Sequence, residues 1–280
     1  MNGSRIRRGL AALSAGAMLA TMVVATAAPA SAKACTFTFD PGGGTKTTLE
    51  AGEVACGGPG VDKVTIMNGG IFYGRGGVDT VDQLNGGQFF GGPGGDSVNT
   101  IGPKGVFRGE ADGDTAYRVN GKFHGGVGED RVHFLHKGGL FNGGRNADRI
   151  HTEQDGGLFM GGRGHDRHAR VSGGIFRGGL GNDQTNEVVN RGRFNGGSGA
   201  DYARVVAGGG KFAAGPGNDS TRYVTSGATF NGANGRDKVT GHLSGATFYG
   251  GAGYDSAKLC EKTKNVLSSV ESKKLVVCAD

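Results

Sequence analysis

The chain contains no tryptophan, only six prolines and only four cysteines in 280 residues. Leucine is scarce across its interior, so a conventional globular core is not expected. No apolar run beyond residue 32 is long enough to cross a bilayer. There is no H-E-x-x-H, no G-x-S-x-G and no phosphate-binding P-loop, which removes the best-marked hydrolase and nucleotide-dependent classes. Glycine is abundant, at 60 residues, but lacks the three-residue period of collagen. No position is consistently threonine, so a flat ice-binding face is not expected either.

Residues 1–32 have the layout of a secretory signal. Arg5, Arg7 and Arg8 precede an apolar stretch from Leu10 to Ala28, and Ala30-Ser31-Ala32 offers small residues for cleavage. The chain is therefore expected to be secreted and to have no membrane span. Removing that segment lowers the formal charge from +6 to +3, leaving 28 basic against 25 acidic side chains. So slight an excess gives no reason to expect a nucleic-acid partner.

What the chain has in quantity is a repeat. Twelve aspartates, Asp62, Asp79, Asp96, Asp114, Asp130, Asp148, Asp166, Asp183, Asp201, Asp219, Asp237 and Asp255, follow one another at intervals of 16 to 18 residues. Each closes a G-G-x-G-x-D hexapeptide or a near copy, and seven residues before each of the last eleven stands a phenylalanine, Phe72 through Phe248. A unit this short cannot bury its own apolar face, so successive copies must stack into a solenoid. The fold class is therefore all-β: a parallel β-roll or β-solenoid of about twelve coils.

Taking Gly173–Asn190 as a specimen, Ile175-Phe176-Arg177 reads as one short strand and Gln184-Thr185-Asn186 opens a second, with the glycine block as the turn between them. The residue two after each aspartate should point inward; Val64, Val132 and Ile150 suit that place, and His168 is its chemical exception. The fourth residue of each turn should need a positive φ. It is glycine in ten of twelve copies and otherwise Asp112 or Asn146, the types that best tolerate that geometry.

Stacking places the aspartates about 4.8 Å apart, where ionised neighbours repel by roughly 1 kcal/mol even at the dielectric of water. A hard cation held by carboxylates and backbone carbonyls would relieve that repulsion, and calcium suits such oxygens. The nonapeptide Gly91-Gly92-Pro93-Gly94-Gly95-Asp96-Ser97-Val98-Asn99 resembles the RTX, or haemolysin-type, calcium-binding repeat G-G-x-G-x-D-x-U-x, and the resemblance covers residues 57–258. It implies a β-roll with calcium as cofactor, held between turns by all twelve aspartates and by carbonyls. No enzymatic activity is expected, because the catalytic motifs above are absent and the array has no loop insertion to build a cleft. The chain departs from that family in carrying the motif on alternate half-turns only. Arg75, Glu110, Ala214 and Ala233 also replace turn glycines.

Two further features bear on organisation and partners. Cys35 and Cys56 precede the array while Cys260 and Cys278 follow it; three pairings are possible, and local pairs would staple an N-terminal cap, 33–56, and a C-terminal cap, 259–280. Lys63, Arg131, Arg149, Arg167 and Lys238 each directly follow a ladder aspartate, and six of seven histidines fall between His124 and His168. A metal-free solenoid whose cations neutralise the ladder is one competing expectation. A structural or adhesive solenoid that binds cell-surface polyanions through an Arg/His-rich face is another. His133 and His151 should stack outward on adjacent coils.

Overall fold

The computed structural model describes residues 33–260 and 264–276. They form an all-β parallel solenoid of about 13 turns with a repeat near 18 residues. Each coil has two strands. In the specimen coil these are Ile175–Leu180, carrying the phenylalanine, and Gln184–Val189, following the aspartate. Each pairs in parallel with its equivalent one coil earlier and one coil later, so Phe176 lies in register with Phe159 and Phe194. The strands are longer than the sequence suggests. The first continues through Gly178 and Gly179, and the turn shrinks to Gly181–Asp183. In two coils the far turn is extended as well, so Thr80–Pro93 and Ser97–Ala111 run through it as single strands.

The core is a set of columns running along the rod. Phe72 through Phe248 are fully buried, and their rings stack with centroids 4.7–5.0 Å apart and planes within 12°. That spacing equals the distance between paired strands, so ring stacking and the backbone ladder reinforce one another. The column two residues after each aspartate is inward as expected. His168 belongs to it, buried edge-on between Phe159 and Phe176. A second apolar column, which includes Met67, Leu84, Ile101, Val119, Leu135 and Val188, lies five residues after the aspartate and is also fully buried. It makes the core thicker than phenylalanine alone would.

Two glycine positions in the turn carry positive φ. The expected one holds in every turn after the first, where Gly60 is not left-handed: Gly181 has φ 134°, and Asp112 and Asn146 take 69° and 78° in its place. Here the constraint is also spatial, because a Cβ on Gly181 would collide with the Gly164 carbonyl oxygen one coil back. The second glycine of the block is left-handed too, and Arg75, Glu110 and Ala233 adopt φ of 75°, 80° and 79° there.

Both segments expected to be caps extend the same sheet. Gly43–Leu49 pairs with Val61–Met67, and Val54–Cys56 with Ile71–Tyr73, so residues 33–56 include a coil of their own, and the Cys35–Cys56 disulfide lies at that end. At the other end Val266–Ser268 and Ser272–Val276 pair with the coil before them. Cys260 is disulfide-bonded; its expected partner Cys278 lies outside the described residues, as does the signal-like segment 1–32. Among the described residues no helix is long and apolar enough to cross a membrane.

Candidate functional site

All twelve repeat aspartates lie on one edge of the solenoid, yet they face inward. Each is no more than 1% exposed. The turn wraps around its carboxylate. The backbone N–H of each aspartate donates to Oδ1 of the aspartate one coil later at 2.7–2.8 Å, giving eleven such bonds from Asp62 to Asp255. The last N–H, that of Asp255, donates to Glu271 Oε2 at 2.6 Å. Glu271 is thus a thirteenth carboxylate that the sequence does not advertise, since no glycine block precedes it. Leu267 pairs with Phe248, so this turn has only four residues from the aromatic register to the acid, and the longer glutamate bridges the difference.

The other oxygen of each carboxylate is alone. Oδ2 of Asp79, Asp96, Asp114, Asp130, Asp148 and of the six aspartates after them is buried without a hydrogen-bond partner. At the N-terminal end the roles are exchanged, with Asp62 Oδ2 accepting from the Gly58 N–H at 2.9 Å and Oδ1 left alone. The first glycine of each block makes room for this oxygen. A Cβ on Gly178 would collide with Asp183 Oδ2 and with the Gly196 carbonyl oxygen of the next coil. The same two neighbours recur at Gly91's equivalents Gly109, Gly125, Gly161 and Gly232. A column of orphaned carboxylate oxygens therefore runs beside a column of backbone carbonyl oxygens. Ala214 alone breaks the glycine column, and the strand pairing there ends at Asn195–Ala213.

Electrostatics make this column costly without a counter-charge. Burial, acting against the favourable N–H bond, pushes Asp96, Asp183 and Asp219 up to about 7. Asp114 and Asp148 rise to about 9, with neighbouring carboxylates adding to the effect. The basic residues that follow the aspartates supply little of it: burial raises Asp130 and the charge of Arg131 helps hold it to about 6, but the side chains that pair do so elsewhere. Lys63 reaches Asp82 at 2.9 Å, while Arg131 and Arg149 reach Glu129 at 3.6 and 3.9 Å. No ion pair joins a ladder carboxylate to a cation among the described residues.

The histidines behave as anticipated: His133 and His151 stack with centroids 5.2 Å apart on the outer face. Among the described residues no three histidine, cysteine or acidic side chains converge on one point as a metal cage. An ion in the ladder would thus have at most two carboxylates per gap and would draw its remaining oxygens from the backbone. No family model, curated protein or solved structure matches the chain, so the likeness to the haemolysin-type repeat rests on the motif and the geometry of the coil.

Proposed function

We propose that this protein is a secreted, non-catalytic β-roll scaffold of haemolysin type whose aspartate ladder binds calcium, with the ion stabilising the stack of coils. The observation that carries this reading is the column of buried, unpartnered Oδ2 atoms beside backbone carbonyl oxygens. A buried polar atom without a partner normally costs about 1–3 kcal/mol, and more when charged. Here the same atom is orphaned in coil after coil, in a space that glycine keeps clear. Bound calcium would supply positive charge and accept carboxylate and carbonyl oxygens without strict geometry. The aspartates would hold it through Oδ2 while Oδ1 keeps its bond to the preceding coil.

One observation favours a second reading, a metal-independent structural solenoid. The N–H to Oδ1 bonds already join every coil along the ladder without an ion. Chelation separates the two. If calcium is required, protein treated with EDTA loses β-type circular dichroism and regains it cooperatively on calcium addition. Full signal and unchanged thermal stability in EDTA would establish the metal-independent solenoid instead.

A further inference from the structure

The cations that follow the ladder aspartates form no ion pair with a ladder carboxylate among the described residues, and their arrangement has its own chemistry. Arg131, Arg149 and Arg167 occupy equivalent positions on three consecutive coils, in strict register. Like charges directly opposite one another in a sheet are destabilising. Among the described residues Glu129 offsets this row, reaching Arg131 and Arg149, while Arg167 is exposed and has no ion-pair partner there. Arg149 Nε is moreover buried without a hydrogen-bond partner. Further along the same sheet Arg222 and Lys258 are exposed, and Arg204, exposed too, shares Glu187 with Arg170. The local field is positive enough to help hold His151 below the ordinary histidine range, through His133, Arg149 and Arg131, after the larger effect of its partial burial.

Beside the arginine row lies a depression of about 310 Å3 lined by Arg149, His151, Arg167, Gln184, Asn186 and Tyr202. Its rim combines two guanidinium groups with amide, imidazole and phenol groups, a set suited to anions and hydroxyls together. The histidine rings bear on which polyanion fits. His133 and His151 turn their faces toward one another, with planes 22° apart, and Tyr117 packs 4.9 Å from His133. Both faces of His133 are thereby covered, and Ala169 stands in the next coil where a further ring would be needed to continue the stack. A single-stranded nucleic acid would need open ring faces for base stacking, and a duplex would need an element that enters a groove.

We infer that this depression and the arginine row beside it form a binding surface for a linear acidic polysaccharide lying along the rod axis. Arg149 and Arg167 bind its sulfate or carboxylate groups, and His151, Gln184, Asn186 and Tyr202 bind its hydroxyls. The surface is built from side chains outside the ladder and goes beyond the scaffold role.

The test is binding of the full chain to immobilised heparin and polygalacturonate, with calcium present, against Arg149→Gln/Arg167→Gln. The control, Arg193→Gln/Lys211→Gln, removes the same charge from an in-register pair on the phenylalanine-bearing strands. The expected result is a weakening of about tenfold or more for the first variant and less than about threefold for the control. Equal weakening by both would overturn the site in favour of diffuse charge. So would tighter binding of single-stranded DNA than of either glycan at the same ionic strength. Circular dichroism of each variant separates lost binding from lost folding.

Discussion

Asp183→Asn discriminates sharply, because its effect should change sign with calcium. Asparagine keeps the Oδ1 acceptor that the Asp166 N–H uses at 2.8 Å. It replaces the orphaned, buried Oδ2 with an amide that can donate toward the Gly196 carbonyl oxygen beside it. In metal-free protein the native carboxyl is raised from 3.8 to about 7. Above pH 7 that difference is worth about 4 kcal/mol against folding. The amide has a burial cost of its own, so a net stabilisation of about 2 kcal/mol is expected in EDTA at pH 8. For a chain of this size that raises Tm by about 4–8 °C. With calcium at a hundredfold excess over Kd, each occupied site contributes about 2.7 kcal/mol, and the variant loses that contribution. Thermal unfolding followed by circular dichroism, with and without calcium, reads both arms. Destabilisation of equal size in both conditions would refute the reasoning, since the carboxylate would then be needed for something other than an ion.

The pH dependence of metal-free protein follows from the same burial. The folded carboxyls lie above their unfolded value, so their contribution is fully present below pH 3.8 and is lost as pH rises through about 6 to 9; chelated protein should melt at a higher temperature at pH 5 than at pH 9. In saturating calcium the trend should reverse, because protons compete with the ion. Gly178→Ala should place a methyl against Asp183 Oδ2 and the Gly196 carbonyl, lowering both stability and calcium stoichiometry, whereas Ala214→Gly should raise the affinity of the gap at Asp219; calcium titration of each variant checks this. Cys35→Ser opens a loop of 21 residues and should cost about 3 kcal/mol at the N-terminal end, measurable by chemical denaturation.

The regularity of phenylalanine and aspartate made the solenoid legible, because both sit in rigid blocks of constant spacing. The left-handed turn position was legible for the same reason: only glycine, Asp112 and Asn146 occupy it. Its neighbour was hidden because Arg75, Glu110 and Ala233 tolerate a conformation that sequence statistics assign to glycine. The second core column, with Met67, Ile101 and Val188, was obscured because length variation between an aspartate and the next phenylalanine blurs the alternation around it. Burial of the aspartates was not legible, since it depends on how the turn closes over the carboxylate and not on residue type. Glu271 was missed because it replaces an entire glycine block with a shorter turn and a longer side chain.

Calorimetric titration of calcium into the chelated full chain tests the central claim most directly. Eleven gaps separate the twelve aspartates of the ladder. The account predicts several calcium ions per chain, bound cooperatively with midpoints in the range of about 10⁻⁴–10⁻³ M, and little heat with magnesium, which demands a tight octahedron and keeps its waters. No calcium heat from a protein that is fully folded in EDTA would contradict it.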